Sequence, residues 1–183
     1  RDGLVIAERL AASDPDNAEW QRDVSISQIK VGDILVAQGE DAEGLKAYRD
    51  SLAIRERLAA AEPDNAEWQR DVSVSLIKVG DRLAAQGDVD GALAAYRDSL
   101  AIRERLARSD PDNAAWQRDL SVTLVNVGDA LARQGDGPGA LKLYRDSLTI
   151  RERLSASDPG NTRWRRDVSV SLDRVGSRLA AQG

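Results

Sequence analysis

A period of 48 residues runs through the chain and limits what it can fold into. Glycine keeps this spacing from Gly32 to Gly176, and residues 49–96 are identical to residues 97–144 at most positions. Tryptophan keeps the same spacing at Trp20, Trp68, Trp116 and Trp164. Repeats of about 20–50 residues are the signature of arrays in which each unit packs on its neighbours. We therefore expect a repeat array.

Each period contains two helical patterns, which we call helix A and helix B. Helix A is predicted over about residues 65–86 and helix B over about residues 89–109. The apolar stripe of helix A is formed by Trp68, Val72, Leu76, Val79 and Leu83. The stripe of helix B is formed by Ala92, Tyr96, Ser99, Ile102 and Leu106. Gly87 ends helix A, and Asp88 caps helix B. No segment alternates with period two, so we expect no strands.

These patterns predict an all-α fold, an α-solenoid in which antiparallel helix hairpins form a right-handed superhelix. The predicted parts are a partial helix B at 1–12, three A–B repeats at 17–61, 65–109 and 113–157, and a fourth helix A at 161–183. The joints between repeats are expected at 13–16, 61–64, 109–112 and 157–160. Because the chain starts within the pattern at Arg1 and has no initiator Met, we expect an excised fragment.

The spacing of small and aromatic residues resembles the tetratricopeptide repeat, whose pattern is W-x2-L-G-x2-Y, then A-x3-F, then P. Gly80, Ala92 and Tyr96 keep the spacing of that family, and "QGDVDGALAAY" is similar to its inter-helix turn. The period here is 48 residues against 34 in the family. Both helices are extended on the same side of the joint, so the chain resembles a long-helix variant. The resemblance implies a scaffold that binds proteins.

The segment "PDNAEWQRD" at residues 63–71, which recurs in each period, has three interpretations: a metal loop, an aromatic ligand site or a structural joint. A calcium loop needs oxygen ligands at alternating positions and a Glu at the twelfth. After Asp110 and Asp112, the next alternate position is Ala114. We therefore expect a joint, in which Trp116 packs near Ile102 and Leu106, and we expect Trp68 and Trp116 to be mostly buried.

Composition excludes several kinds of site. The chain has no Cys and no His, so it has no thiol nucleophile, no imidazole base and no imidazole metal ligand. We predict that it is not an enzyme and holds no metal or cofactor. The net charge of -5 argues against a nucleic-acid partner, despite "TRWRR" at 162–166. No apolar run reaches the length of a membrane span.

The resemblance implies that the A helices line a concave groove that holds a peptide or helix of a partner. Carried over by register, this groove has a basic edge, an apolar floor and an acidic edge. The predicted groove residues are Arg22, Ile29, Asp33, Arg70, Val74, Ile77, Lys78, Asp81, Arg118, Val125, Asn126, Asp129, Arg166 and Asp173. The same charges could instead pair with each other, as Lys78 and Asp81 could at i, i+3. Helix B residues such as Arg103 would belong to the opposite, convex face.

Chaperone-binding members of the family clamp a C-terminal carboxylate with Lys and Asn, but the matching positions here are Ile77 and Asp81. We therefore predict a non-enzymatic scaffold in the cytoplasm, with a different protein or peptide partner. The alternative is a structural, self-assembling spacer of a larger protein. The first helix B lacks its helix A and the last helix A lacks its helix B, so we also expect head-to-tail self-association.

Overall fold

A computed structural model describes residues 2–181, and over that range it has eight α-helices and no strand. The helices are α1 (Asp2–Ser13), α2 (Ala18–Ala37), α3 (Asp41–Ala61), α4 (Ala66–Ala85), α5 (Val89–Ser109), α6 (Ala114–Arg133), α7 (Gly137–Ser157) and α8 (Thr162–Ala180). The odd-numbered helices are B helices and the even-numbered ones are A helices. The predicted all-α fold is confirmed. The outermost positions of predicted segments 1–12 and 161–183, namely Arg1, Gln182 and Gly183, lie outside the described residues.

The helices form two compact units, Arg1–Gln86 with α1 to α4 and Gly87–Gly183 with α5 to α8. Within each unit, every helix packs on the next one along the chain. In the first unit Arg55 of α3 bonds to Ser25 near the start of α2, whereas Tyr48 bonds to Asp33 near its end. The two helices therefore run antiparallel, as expected for a helical hairpin. The handedness of a superhelix and the division into repeats remain predictions.

Glycine makes the turn from each A helix to the following B helix short. Gly39 has φ of 82°, a left-handed conformation that costs glycine little. Its N–H donates to the carbonyl of Val36 at 3.0 Å, and the N–H of Glu40 donates to that of Leu35 at 2.9 Å. This is a Schellman motif, which uses two of the carbonyl groups left free at a helix end. Gly87, predicted to end α4, has φ of 85°.

The predicted apolar stripes form the core. All five stripe residues of α4 are at most 9% exposed. In α5 the stripe is buried as well, apart from Ile102, which is partly exposed. The recurring glycine serves helix contact, because a Cβ on Gly32 would lie 2.5 Å from Cε1 of Tyr48. The tyrosine ring therefore packs directly on the backbone of the neighbouring A helix.

A buried polar layer, which the sequence patterns did not predict, joins B helices to A helices. Arg55 is 4% exposed and donates from Nε to Ser25 Oγ at 3.0 Å and from Nη1 to the Asp71 carbonyl at 2.8 Å. Arg103 is also buried and donates to the Asp119 carbonyl at 2.8 Å. Arg103 is therefore part of a buried contact between α5 and α6 and adds no exposed side chain to the face predicted as convex.

Candidate interaction surface on the A helices

The predicted groove residues differ in how much of each side chain is accessible. Asp33 and Asp81 are exposed in the first unit, and so are Arg166 and Asp173 in the second. Most others are partly exposed: Arg22, Ile29, Arg70, Val74, Ile77, Lys78, Arg118, Asn126 and Asp129. Val125 differs, because it is buried in a cluster with Ala140 and Tyr144. Val125 therefore belongs to the core of the second unit and adds no exposed apolar side chain to a floor.

In the first unit, charged residues of this surface link α2 to α4. Arg22 Nε lies 2.8 Å from Asp71 Oδ2, and the Arg22 guanidinium lies 5.3 Å from the centre of the Trp68 ring. The hydrogen bond that Arg22 donates to Asp71 raises the pKa of Arg22, against the opposing effect of burial. Nearer the C-terminal ends of the two helices, Lys78 Nζ lies 2.7 Å from Asp33 Oδ1. These charges hold neighbouring A helices together.

The same two links recur 96 residues later in the second unit. Arg118 Nε lies 2.7 Å from Asp167 Oδ2, and Arg174 Nη2 lies 3.0 Å from Asp129 Oδ2. Much of the predicted basic edge and acidic edge therefore follows the alternative interpretation, in which the charged side chains pair with each other. Lys78 forms its ion pair with Asp33, which lies on the neighbouring A helix, α2. Ion pairs that are partly exposed to solvent each contribute little to stability.

An open recess lies between the two A helices of each unit. In the first unit its volume is about 240 Å³, and it is lined by Asp33, Val36, Tyr48, Lys78, Asp81 and Arg82. In the second unit its volume is about 380 Å³, and it is lined by Asp129, Ala132, Arg133, Tyr144, Arg174, Ser177 and Arg178. Apart from Arg133, each lining position of the second recess lies two periods after a lining position of the first. The recess is therefore a repeated feature of the A-helix surface.

A tyrosine from the intervening B helix closes the base of each recess. Tyr48 donates to Asp33 Oδ1 at 2.7 Å, and Tyr144 donates to Asp129 Oδ1 at 2.7 Å. Burial raises the pKa of both phenols well above the usual value, and the hydrogen bond to the aspartate raises it further. Each phenol thus stays protonated and holds its aspartate at the rim.

The two recesses differ in charge. The first has two carboxylates and two cations, whereas the second has Asp129 with three arginines. Ser177 stands at the position of Asp81, and Arg133 stands at the position of Ala37. Arg82 in the first recess pairs with Asp41 at 3.0 Å. Its counterpart Arg178 has no such partner, because Gly137 stands at the position of Asp41. The second recess is the better site for an acidic group. Sequence reasoning missed Arg82 and Arg178, which occupy the same position in alternate repeats, because Ile34 and Ala130 stand there in the other two A helices.

The recurring tryptophan segment is a helix cap. Asn17, Asn65, Asn113 and Asn161 are the N-caps of the four A helices, and each side chain accepts from the N–H of the following tryptophan, at 3.1–3.3 Å. Such caps satisfy N–H groups that a helix start leaves free. Trp68 is buried as predicted, whereas Trp116 remains partly exposed. The segment is thus a structural joint.

Two kinds of site do not appear in residues 2–181. No three acidic side chains there are grouped closely enough to hold a metal ion. None of the described helices combines the length and the apolar character that crossing a membrane requires.

Comparison with solved structures gives chains that match this one over nearly its whole length. The yeast histone chaperone Hif1, described as a scaffold protein recruiting protein complexes to core histones, has a TM-score of 0.59 and 12% identity, with 97% of this chain and 94% of that chain covered. A de novo designed helical repeat protein has a TM-score of 0.40 and 12% identity, with 98% and 91% covered. BtubC from P. vanneervenii has a TM-score of 0.43 and 14% identity, with 99% and 88% covered. The likeness to Hif1 supports the fold.

Comparison of sequences identifies the repeat itself. No curated protein matches the sequence. The family profile of the tetratricopeptide repeat matches residues 72–112 and residues 121–159. Each match starts inside an A helix and runs just past the end of the following B helix. The resemblance predicted from the sequence is confirmed, and these two stretches of the chain are tetratricopeptide repeats.

Proposed function

We propose that this chain is a non-enzymatic interaction scaffold that binds a peptide or helix of a partner protein along its A-helix surface. The observation that carries the proposal is the repeated recess, found at the corresponding place between α2 and α4 and between α6 and α8. Each recess suits polar side chains of a partner peptide or helix that lies on the A helices of that unit. A cytoplasmic location remains a prediction.

The recess is a binding feature and not a catalytic one. It is open and shallow, whereas catalysis by acids and bases needs a pocket that excludes water. Its aspartates accept hydrogen bonds from tyrosine and form ion pairs with Lys78 and Arg174. Because these aspartate carboxylates are held in place, they would orient polar side chains of a partner. Apolar contact would come from Ile29, Val74 and Ile77, which are partly exposed.

Selection of peptides on the intact chain tests the proposal. A displayed random-peptide library yields binders, and each binder is then titrated against two variants. Arg178→Glu reverses a charge that lines the second recess, and circular dichroism checks that the variant keeps its helices. Arg49→Glu makes the same change on the exposed surface of α3. We expect Arg178→Glu to weaken binding about tenfold and Arg49→Glu to leave it unchanged. Binders that respond to Arg49→Glu and ignore Arg178→Glu would place the site elsewhere and refute the proposal.

A further inference from the structure

Two acidic positions of the first recess are replaced in the second. Asp81 lines the first recess, and Asp41 forms an ion pair with one of its cations. Two periods later these positions hold Ser177 and Gly137. Each replacement removes a negative charge. The second recess is therefore lined by a single carboxylate, that of Asp129.

The basic positions of the recess are kept and increased in number. Arg174 and Arg178 stand at the two basic positions of the first recess, and Arg133 adds a third guanidinium. Along the whole of α8, five arginines stand against two acidic residues, whereas α4 has three basic and three acidic residues. The second recess therefore has an excess of positive charge, in a chain whose net charge is -5.

The one carboxylate of the second recess is already held at both oxygens. Tyr144 donates to Asp129 Oδ1 at 2.7 Å, and Arg174 Nη2 lies 3.0 Å from Asp129 Oδ2. Arg178 follows Arg174 by one turn on the same face of α8, and it lacks the carboxylate that pairs with Arg82 in the first unit. A guanidinium presents a planar fork of N–H groups, which matches the two oxygens of a carboxylate.

Charge distinguishes the two recesses, although both are built from the same kinds of helix. The side chains of the first come from α2, α3 and α4, and those of the second come from α6, α7 and α8. In the first recess Lys78 is paired with Asp33 at 2.7 Å, and Asp81 would repel an incoming acid. In the second recess the hydroxyl of Ser177 replaces that repulsion with a hydrogen-bond donor.

We propose that the second recess binds the side-chain carboxylate of an aspartate or glutamate in the partner peptide or helix. Arg178 donates to this carboxylate, and Arg174 and Ser177 lie beside it. This inference rests on the proposed function, because the partner must lie on the A helices, and it adds the class of side chain that one recess selects. The first recess does not select an acid.

Synthetic copies of the peptides selected on the intact chain test the proposal. Each peptide has an amidated C-terminus, so its only carboxylates are those of side chains. Each is compared with a neutral copy in which every Asp is Asn and every Glu is Gln. Fluorescence anisotropy at about 0.15 M salt measures the affinities. We expect the neutral copy to bind the parent chain about tenfold more weakly than the acidic peptide.

Variants of the chain locate the source of this preference. Gly137→Asp combined with Ser177→Asp gives the second recess the acidic residues of the first, so most of the preference should be lost. Ser177→Asp alone, at an exposed position, should lower the preference in the same direction. The control Ala94→Asp combined with Ala101→Asp adds the same charge at exposed positions of α5 and should keep the preference. Circular dichroism checks that each variant keeps its helices.

The outcomes separate this inference from the proposed function. Neutral copies that bind the parent chain as well as the acidic peptides, while Arg178→Glu still weakens them, would overturn the inference and leave the proposed function standing. Peptides that respond to Arg49→Glu and ignore Arg178→Glu would refute both. A preference that survives Ser177→Asp, or that falls equally in the α5 control, would also overturn the inference, because the acid would then be selected by some other part of the chain.

Discussion

Arg151 Nη1 donates a hydrogen bond to the main-chain carbonyl of Asp167 at 2.9 Å, while the carboxylate of the same aspartate accepts from Arg118 at 2.7 Å. Asp167 is therefore held by α7 through its backbone and by α6 through its side chain. Asp71 of the first unit has the same two contacts, from Arg55 and Arg22. Asp71 and Asp167 thus each fix an A helix against both preceding helices.

Replacing Arg151 with Met should destabilise the second unit strongly. Arg151 is buried, and its loss leaves the Asp167 carbonyl and the hydroxyls of Ser121 and Ser171 without this donor. An unsatisfied buried polar group costs about 1–3 kcal/mol. Urea unfolding followed by circular dichroism measures the effect. The control Arg145→Met removes an exposed arginine of the same helix and should change stability by less than about 0.5 kcal/mol. Equal midpoints for the two variants would show that the buried network adds no stability.

Trp68→Ala should destabilise the chain by about 3–5 kcal/mol, because it removes a large buried side chain. Trp116→Ala should have a smaller effect, since that ring is partly exposed. Trp68 also stacks under Arg22 and so supports the Arg22–Asp71 link. Urea midpoints of the two variants, measured side by side, give the comparison. A larger loss for Trp116→Ala would mean that the joint of the third repeat depends on tryptophan more than burial indicates.

The sequence predicted the helices well because their signals are local. The Asn–Trp caps, the Gly39-type turns and the stripe from Trp68 to Leu83 each depend on residues within a few turns. The bounds of α4, predicted at about 65–86, are found at Ala66–Ala85. The repeat period then gave the order of A and B helices without any long-range information.

The polar contacts could not be predicted because they join residues distant in sequence. Arg103 looked like a solvated residue of helix B, yet its guanidinium lies between helices and bonds to Thr123 Oγ1 at 2.7 Å. Arg22 and Asp33 looked like groove edges, yet both pair with the adjacent A helix. In hindsight, the recurrence of Ser and Arg at fixed positions in both helices was the available signal. An amphipathic helix pattern assigns Ser and Arg to the exposed face, so it does not predict that they are buried.

Stability should fall as pH rises above about 10. An unperturbed tyrosine loses its proton near pH 10, as it would in the unfolded chain. The pKa of Tyr144 is raised in the folded chain by burial and by its bond to Asp129, so the folded state keeps a proton that the unfolded state releases. Tyr48→Phe and Tyr144→Phe together should make this loss shallower. Urea midpoints between pH 8 and about 11 measure it. An unchanged slope in the double variant would show that these tyrosines do not cause the loss.

Two equivalent glycines should respond to alanine with opposite signs. A Cβ on Gly128 would lie 2.6 Å from Cε1 of Tyr144, so Gly128→Ala forces the ring and α7 to move. Overpacking of this kind costs about 1–3 kcal/mol. Gly176 lies at the matching position of α8 with no atom near its Cβ position, so Gly176→Ala should stabilise the helix by about 0.5–1 kcal/mol. Urea midpoints of both variants test the pair. A destabilising Gly176→Ala would show that another group packs on α8 at this position, as the tyrosine does on α6.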